Sequence, residues 1–301
     1  MLNRFEQSHW GYTMPTVAAN FIQATVEPGR LGALSRAGVD RLSMTLAELT
    51  GLLGGSPGEA LPDVRFPVRQ LKVGETLVRA GDRFDAIYVV RSGFLKTVTV
   101  DLAGEEQVLA FPMGGDVIGL DGLDADRYAS DVVALDASQV AVVPFARIAR
   151  LGHELPFLER LVYAAFSREL IRKRNMIWLL GTLHAEARLA TFLLDLSGRF
   201  GRLGYSRSSF ALRMSREEIG SYLGIKLETV SRAFSTFAAA GLMAVDRKEV
   251  ALRDLAGLQR VVRPQEEAGA RPVQCVRHVV APPAPARRQR FAPAVFASAL
   301  G

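Results

Sequence analysis

The spacing of apolar and polar residues divides the chain into stretches of different period. Over 66–145, short runs of β-formers are separated by glycine turns at Gly74, Ala80-Gly81-Asp82, Arg91-Ser92-Gly93, Ala103-Gly104 and Gly114-Gly115-Asp116. Ala86-Ile87-Tyr88-Val89-Val90 and Leu95-Lys96-Thr97-Val98-Thr99-Val100 are the clearest strands, so this stretch predicts a small antiparallel sandwich or jelly roll. Residues 157–180 contain neither Gly nor Pro, and Leu158, Leu161, Val162, Ala165, Phe166, Ile171, Ile177 and Leu180 recur at helical spacing. The predicted helix is roughly 36 Å long at about 1.5 Å per residue. Its charged run, Arg168-Glu169 and Arg172-Lys173-Arg174, is expected on the outer face. A rod of this length between two domains suits a dimer stalk; the alternative is a helix packed onto its own domain.

A second helix is predicted over 184–199, followed by Gly201-Arg202-Leu203-Gly204 and a short strand, Phe210-Ala211-Leu212-Arg213. Residues 1–60 mix short apolar pieces with Gly and Pro, which predicts a loosely structured leader with one helix near 37–53. Past Val261 the chain turns Ala/Pro/Arg-rich, a composition that reads as a disordered tail over 263–301.

The stretch 216–235 carries the most specific pattern. Ser215 and Glu218 form a Ser-x-x-Glu capping box that starts one helix. Ile219, Leu223, Val230 and Ala233 are the apolar positions at which two helices cross; Gly220 is small at the crossing, and Gly224 stands where the turn requires positive φ. Ile225 is expected to plug the turn into the core, and the second helix to begin around Leu227. This is a helix-turn-helix. Lys226, Glu228, Thr229, Ser231 and Arg232 point away from the packed face, as residues entering a DNA major groove do: Arg can bond guanine O6 and N7, and Glu can accept from cytosine N4. Lys226 and Thr229 suit phosphates. Phe234 and Phe237 continue the apolar face, Gly241 ends the helix, and Leu242-Met243-Ala244-Val245 with Lys248-Glu249-Val250-Ala251-Leu252 predicts a two-stranded wing turning at Asp246-Arg247.

Composition narrows the partners. Apolar residues make up 49 % of the 301 residues and charged ones 23 %, enough to bury cores across about two domains. The net charge of +6 favours an anionic partner. No window has the roughly 18 consecutive apolar residues of a bilayer span, and the first residues lack the layout of a secretory signal, so the chain is expected in the cytoplasm with no membrane partner. Nothing predicts an enzyme: the sequence has no P-loop, no Gly-x-Ser-x-Gly, no metal-ligand pair at helical spacing and no histidine beside a candidate nucleophile. Cys275 is the one cysteine, so no metal cluster can be built from cysteines within the chain.

Over 66–258 the residues resemble the Crp/Fnr family of bacterial regulators, most closely its Fnr branch. The matching pieces are Leu77-Val78-Arg79-Ala80-Gly81-Asp82, Val90-Arg91-Ser92-Gly93, Gly115-Asp116-Val117-Ile118-Gly119, Ala185-Glu186-Ala187-Arg188-Leu189-Ala190, Gly220-Ser221-Tyr222-Leu223-Gly224 and Glu228-Thr229-Val230-Ser231-Arg232. The resemblance implies an α+β chain: an N-terminal antiparallel β-roll like that of cyclic-nucleotide-binding domains (61–150), a long dimerisation helix (154–182) and a C-terminal winged helix-turn-helix (183–258). It also implies base contacts by Glu228, Ser231 and Arg232, and a palindrome of TTGAT half-sites bound by a homodimer. The genes so controlled would answer an oxygen, redox or other metabolic signal, with RNA polymerase as a partner if the protein activates.

Fnr itself holds an iron–sulfur cluster on four cysteines, three in its leader and one in the β-roll; here the leader has none and Ala141 stands at the internal position, so no such cluster is expected. The cyclic-nucleotide branch uses Gly-Glu for ribose and Arg-Ser for the cyclic phosphate. This chain has Gly119-Leu120-Asp121, then Arg127 one position out of register before Ser130, with Asp121 and Asp124 repelling a phosphate. Cyclic nucleotide is therefore not the expected ligand. Haem stays open, because His153 and His184 flank the long helix, although neither they nor His9 and His278 form a ligand pair. The competing reading is a cyclic-nucleotide-responsive module that acts on a partner protein.

Overall fold

The computed structural model describes residues 42–55, 61–101 and 103–262. The alternating pattern after residue 61 folds into two antiparallel sheets. One has the order β1 (Ser43–Thr45), β2 (Arg65–Leu71), β9 (Ser138–Pro144), β4 (Ala86–Ser92), β7 (Val117–Ile118). The other runs β3 (Thr76–Val78), β8 (Asp131–Ala134), β5 (Leu95–Val100), β6 (Glu106–Ala110), which leaves β6 as an edge strand. Most of their inward residues, with Phe66, Leu95, Val90 and Val140 nearly or fully excluded from solvent, make one core. This is the expected roll.

Residues assigned above to a loosely structured leader contribute to it. Ser43, Met44 and Thr45 pair with Pro67, Phe66 and Arg65, and helix α1 (Leu46–Leu52) follows. Thr45 Oγ1 accepts from Glu48 N at 3.2 Å while Glu48 Oε2 accepts from Thr45 N at 2.7 Å, a capping box that the sequence reading passed over. Met44, Leu46 and Leu49 are buried against the roll, so this segment belongs to the core of the roll. The remaining leader, the tail, Cys275, His9 and His278 lie outside the described residues.

Helix α2 (Phe145–Glu154) leads into α3 (Pro156–Thr182), whose 27 residues span roughly 40 Å. Pro156 sits at its start, where a missing N–H costs no helical bond. The orientation of α3 corrects an expectation. Leu158, Leu161 and Ala165 are buried against the roll, Arg168 and Glu169 are half-buried, and Arg172, itself exposed, reaches back to the roll. Lys173 and Arg174 are exposed, but so are Tyr163, Leu170, Ile171, Ile177, Trp178 and Leu180. The outer face thus mixes the charged run with large apolar side chains, and Arg172 pairs with a buried carboxylate, Asp116, in the roll.

Helix α4 (Ala185–Arg202) opens the carboxy-terminal half, followed by β10 (Ser209–Ala211), α5 (Arg216–Leu223), α6 (Leu227–Ala239), β11 (Met243–Asp246), β12 (Glu249–Leu252) and α7 (Leu255–Val262). Strands β10, β12 and β11 form a three-stranded sheet in that order. The second core joins Leu189, Leu193, Ile219, Leu223, Val230, Phe234 and Leu258 of this half to Phe94, Val98, Val108 and Phe111 of the roll. The two halves share apolar packing.

Candidate nucleic-acid interface

Helix α5 starts where the capping box requires: Glu218 N donates to Ser215 Oγ at 3.0 Å, and Ser215 N to Glu218 Oε2 at 2.7 Å. It ends at Gly224, with φ of 61°, a left-handed conformation with little penalty only for glycine. Gly220 is required for a sharper reason than helix crossing. A Cβ there would lie 2.6 Å from the Ile225 carbonyl oxygen, so the turn backbone itself fills the space. Ile225 N donates to Gly220 O at 3.0 Å, which locks this approach.

Helix α6 begins at Leu227, as expected. Val230, Ala233, Phe234 and Phe237 are buried on one side. At about 100° per residue, Glu228, Arg232 and Ser235 stand opposite them, and all three are exposed. Ser231 and Thr229 flank this row, half-buried, and Lys226 is exposed at the cap. Among the described residues no hydrogen bond or ion pair engages the side-chain heads of Lys226, Glu228 or Arg232, which leaves them open to solvent or to a ligand. All five predicted residues therefore gather at one end of one helix.

The wing differs by one residue from its expected register. Asp246 pairs with Glu249, so the connection is Arg247-Lys248 rather than Asp246-Arg247. Arg247 takes a φ of 54°, and both of its turn residues are exposed. Ladder pairing extends one residue further because the turn can be closed by two residues with the first left-handed. Residues 183–262 carry twelve Lys or Arg against eight Asp or Glu, a net +4, whereas 61–155 carry ten against fourteen, a net −4. Excess positive charge lies on the half that bears the exposed helix.

Several positioning residues were not singled out in the sequence. Arg188 on α4 donates through Nε to Leu183 O at 2.8 Å, through Nη2 to Leu180 O at 2.8 Å and through Nη1 to Leu223 O at 3.0 Å. One guanidinium so fastens the end of α3 to the end of α5. Arg216 lies over the Phe234 ring at 4.6 Å, a cation–π contact that braces α5 against α6. Ser221 satisfies the free edge strand β6 of the roll: its Oγ accepts from Val108 N at 2.9 Å and donates to Glu106 O at 3.3 Å. Lys96 bridges Glu106 at 2.9 Å and Glu218 at 3.2 Å. Burial works against the lysine's charge, but its bonds to the two glutamates outweigh that and hold its pKa above the usual value. Phe111, Phe192 and Tyr222 complete the contact, with ring centroids 5.2–6.0 Å apart. The links from Ser221 to Val108, Lys96 to Glu218 and Phe111 to Tyr222 join residues more than a hundred positions apart, so no local pattern signals them.

In the roll, Arg127 and Ser130 do not converge on a common point. Arg127 Nη1 donates to Gly81 O at 2.7 Å, and Ser130 Oγ donates to Asp121 Oδ2 at 2.9 Å. The hydroxyl is thereby spent on a carboxylate, an arrangement that does not fit a cyclic phosphate. Ala141 lies in β9 within the core, and His184 is the exposed N-terminal cap of α4 without a capping bond. Among the described residues no group of three or more His, Cys, Asp or Glu is placed to hold a metal ion, and no helix is long and apolar enough to cross a membrane.

Comparison with known proteins agrees with this geometry. Residues 68–154 match the cyclic nucleotide-binding domain and 187–261 the Crp-like helix-turn-helix domain. The transcriptional regulatory protein btr of Bordetella pertussis is 45 % identical over 189 residues, 63 % of this chain and 78 % of that protein. The transcriptional activator protein FnrA of Stutzerimonas stutzeri is 43 % identical over 200 residues, 66 % of this chain and 82 % of that one. Among solved structures, FixK2 from Bradyrhizobium japonicum superposes with a TM-score of 0.59 at 27 % identity, covering 65 % of this chain and 97 % of that one.

Proposed function

The chain belongs to the Crp/Fnr family of DNA-binding transcription regulators, and on that premise we propose that it reads an inverted repeat of TTGAT-type half-sites as a homodimer. The observation that carries the reading is the exposed row on α6, Glu228 and Arg232 beside Ser231, held in place by four buried residues on the opposite face. In the major groove Arg232 bonds guanine O6 and N7, Glu228 accepts from cytosine N4, and Ser231 adds a third contact. Lys226, Thr229 and the wing residues Arg247 and Lys248 take phosphates, which set the register without reading sequence.

The dimer is supported by α3. Ten large apolar side chains are exposed among the described residues, and six of them lie on this helix. Tyr163, Leu170 and Ile177 are seven residues apart, the repeat of a coiled-coil seam, with Phe166 and Leu180 beside them. A second copy covers this stripe and places the two reading helices about one helical turn of DNA apart.

The sensor's signal is redox or metabolic rather than a cyclic nucleotide. Support comes from Leu120 in place of the ribose carboxylate and from the commitment of Ser130 to Asp121. With a single cysteine the signal is not carried by a four-cysteine cluster, and no observation favours haem. RNA polymerase is the partner where the protein activates, and the cytoplasm is its compartment. Sedimentation equilibrium together with fluorescence anisotropy on a TTGAT inverted repeat and on a scrambled duplex tests the whole reading. A dimer with a preference of at least about 10³ for the repeat is expected; a monomer binding both duplexes equally overturns it.

A further inference from the structure

The roll meets the long helix and the DNA-reading half at one carboxylate. Asp116, in the turn between β6 and β7, is 5 % exposed. Its Oδ1 pairs with Arg172 of α3 and its Oδ2 with Arg199 of α4. The same Oδ2 accepts from Met113 N at 2.9 Å, and Arg199 also donates to Phe111 O at 3.0 Å. The backbone is tied as well: Val90 N donates to Asp116 O at 3.0 Å and Asp116 N to Met113 O at 2.9 Å, which anchors the residue to the β4 edge of the sheet. Arg199 is well covered, its side chain 12 % exposed. These three groups come from three segments, the roll, α3 and α4, and meet at one point.

We propose that Asp116 is a positioning residue that sets the orientation of the DNA-reading half on the sensor, by holding α3 and α4 through Arg172 and Arg199. The proposal rests on the DNA-binding reading above. Without the carboxylate, two guanidinium groups converge with Arg168 nearby, and only Glu169, paired with Arg172 at 3.5 Å, and the more exposed Asp195, paired with Arg199 at 3.8 Å, are left to offset them. Charge of one sign beside the well-covered Arg199 drives the elements apart. Leu120, the residue standing at the ribose position, lines the same small cavity as Asp116, Arg168 and Arg172. A shift of that loop therefore reaches Asp116 directly, and Arg199 passes it to the reading half.

The edge strand β6 supplies a readout independent of DNA. Val108 N is bonded to Ser221 of the reading half, so its exchange with solvent reports detachment. Hydrogen exchange should be followed by mass spectrometry in the full chain carrying Asp116→Asn, Arg199→Gln or Arg199→Lys. Asparagine can still accept from Met113 N, and Arg199→Gln leaves the β6–β7 turn untouched, so loss of folding does not imitate the effect. We expect Asp116→Asn and Arg199→Gln each to speed exchange in 106–110 at least tenfold, with β2, β4 and β9 unchanged. Affinity for the inverted repeat should fall about tenfold while its preference over scrambled duplex is kept, and Arg199→Lys should recover most of both. Unchanged exchange at 106–110 in Arg199→Gln, or unchanged affinity with faster exchange, overturns the role. Should the wild type show no preference for the repeat, the base-reading proposal fails, while the exchange result still decides that of Asp116.

Discussion

Replacing Gly220 with alanine separates the geometry of the reading motif from ordinary helix propensity, because the two call for opposite signs. An exposed glycine inside a helix is stabilised by about 1 kcal/mol on becoming alanine. At Gly220 the new methyl would stand 2.6 Å from the Ile225 carbonyl oxygen, some tenths of an ångström inside any real contact, with Val230 Cγ2 at 3.5 Å behind it. The oxygen belongs to the backbone of the turn and cannot rotate away. Overpacking of this kind costs about 1–3 kcal/mol, so after the helix gain of about 1 kcal/mol the net loss reaches up to about 2 kcal/mol. Denaturation should show a fall of a few degrees, at about 2–4 °C per kcal/mol for a chain of this size. Gly198, inside α4, is the control: its nearest neighbour would be the flexible Arg202 head at 3.7 Å, so alanine there should raise stability. Displacement of the turn also tilts α6, and affinity for the inverted repeat should drop in Gly220→Ala but not in Gly198→Ala. If Gly220→Ala were as stable as the control, the close approach between turn and helix would not exist.

Other perturbations probe separate parts of the molecule. Arg232→Ala should cost about 1–3 kcal/mol on the TTGAT repeat and relax specificity at one base pair; an equal loss on scrambled DNA would deny it a base-reading role. Leu170→Asp, at a side chain 69 % exposed on α3, should give a monomer by sedimentation without lowering the unfolding temperature, and a persistent dimer would move the seam elsewhere. Lys248→Ala in the wing should weaken binding uniformly across sequences and reduce the slope of log affinity against log salt by about 1, whereas a change in sequence preference would contradict a phosphate contact.

The helix-turn-helix was legible from sequence because its determinants are local: a capping box four residues long, a glycine at the turn and an apolar period that one helix can satisfy alone. The strands β4 and β5 were legible for the same reason, as runs of β-formers between glycine turns. The orientation of α3 was not. Its periodicity identifies a helix, but it carries apolar residues on both sides, and contacts with distant parts of the roll settle which side is covered, burying Leu158 and Leu161 and pairing Arg172 with Asp116 while Leu170 stays exposed. Thr45 and Glu48 show the opposite failure, since their capping box was present in the sequence but hidden in a stretch rich in Gly and Pro. Arg188 belonged to a recognised motif, yet its three carbonyl partners come from α3, α5 and the connection after α3, so its task could be read only in three dimensions.

The opposite charge of the two halves, −4 over 61–155 and +4 over 183–262, has a kinetic consequence. A polyanion attracts one end of such a molecule and repels the other, so an approaching protein experiences a torque as well as a pull. It is turned with its reading end forward before contact, and fewer collisions are wasted on the wrong face. Raising the salt should therefore slow arrival as well as weaken the bound state.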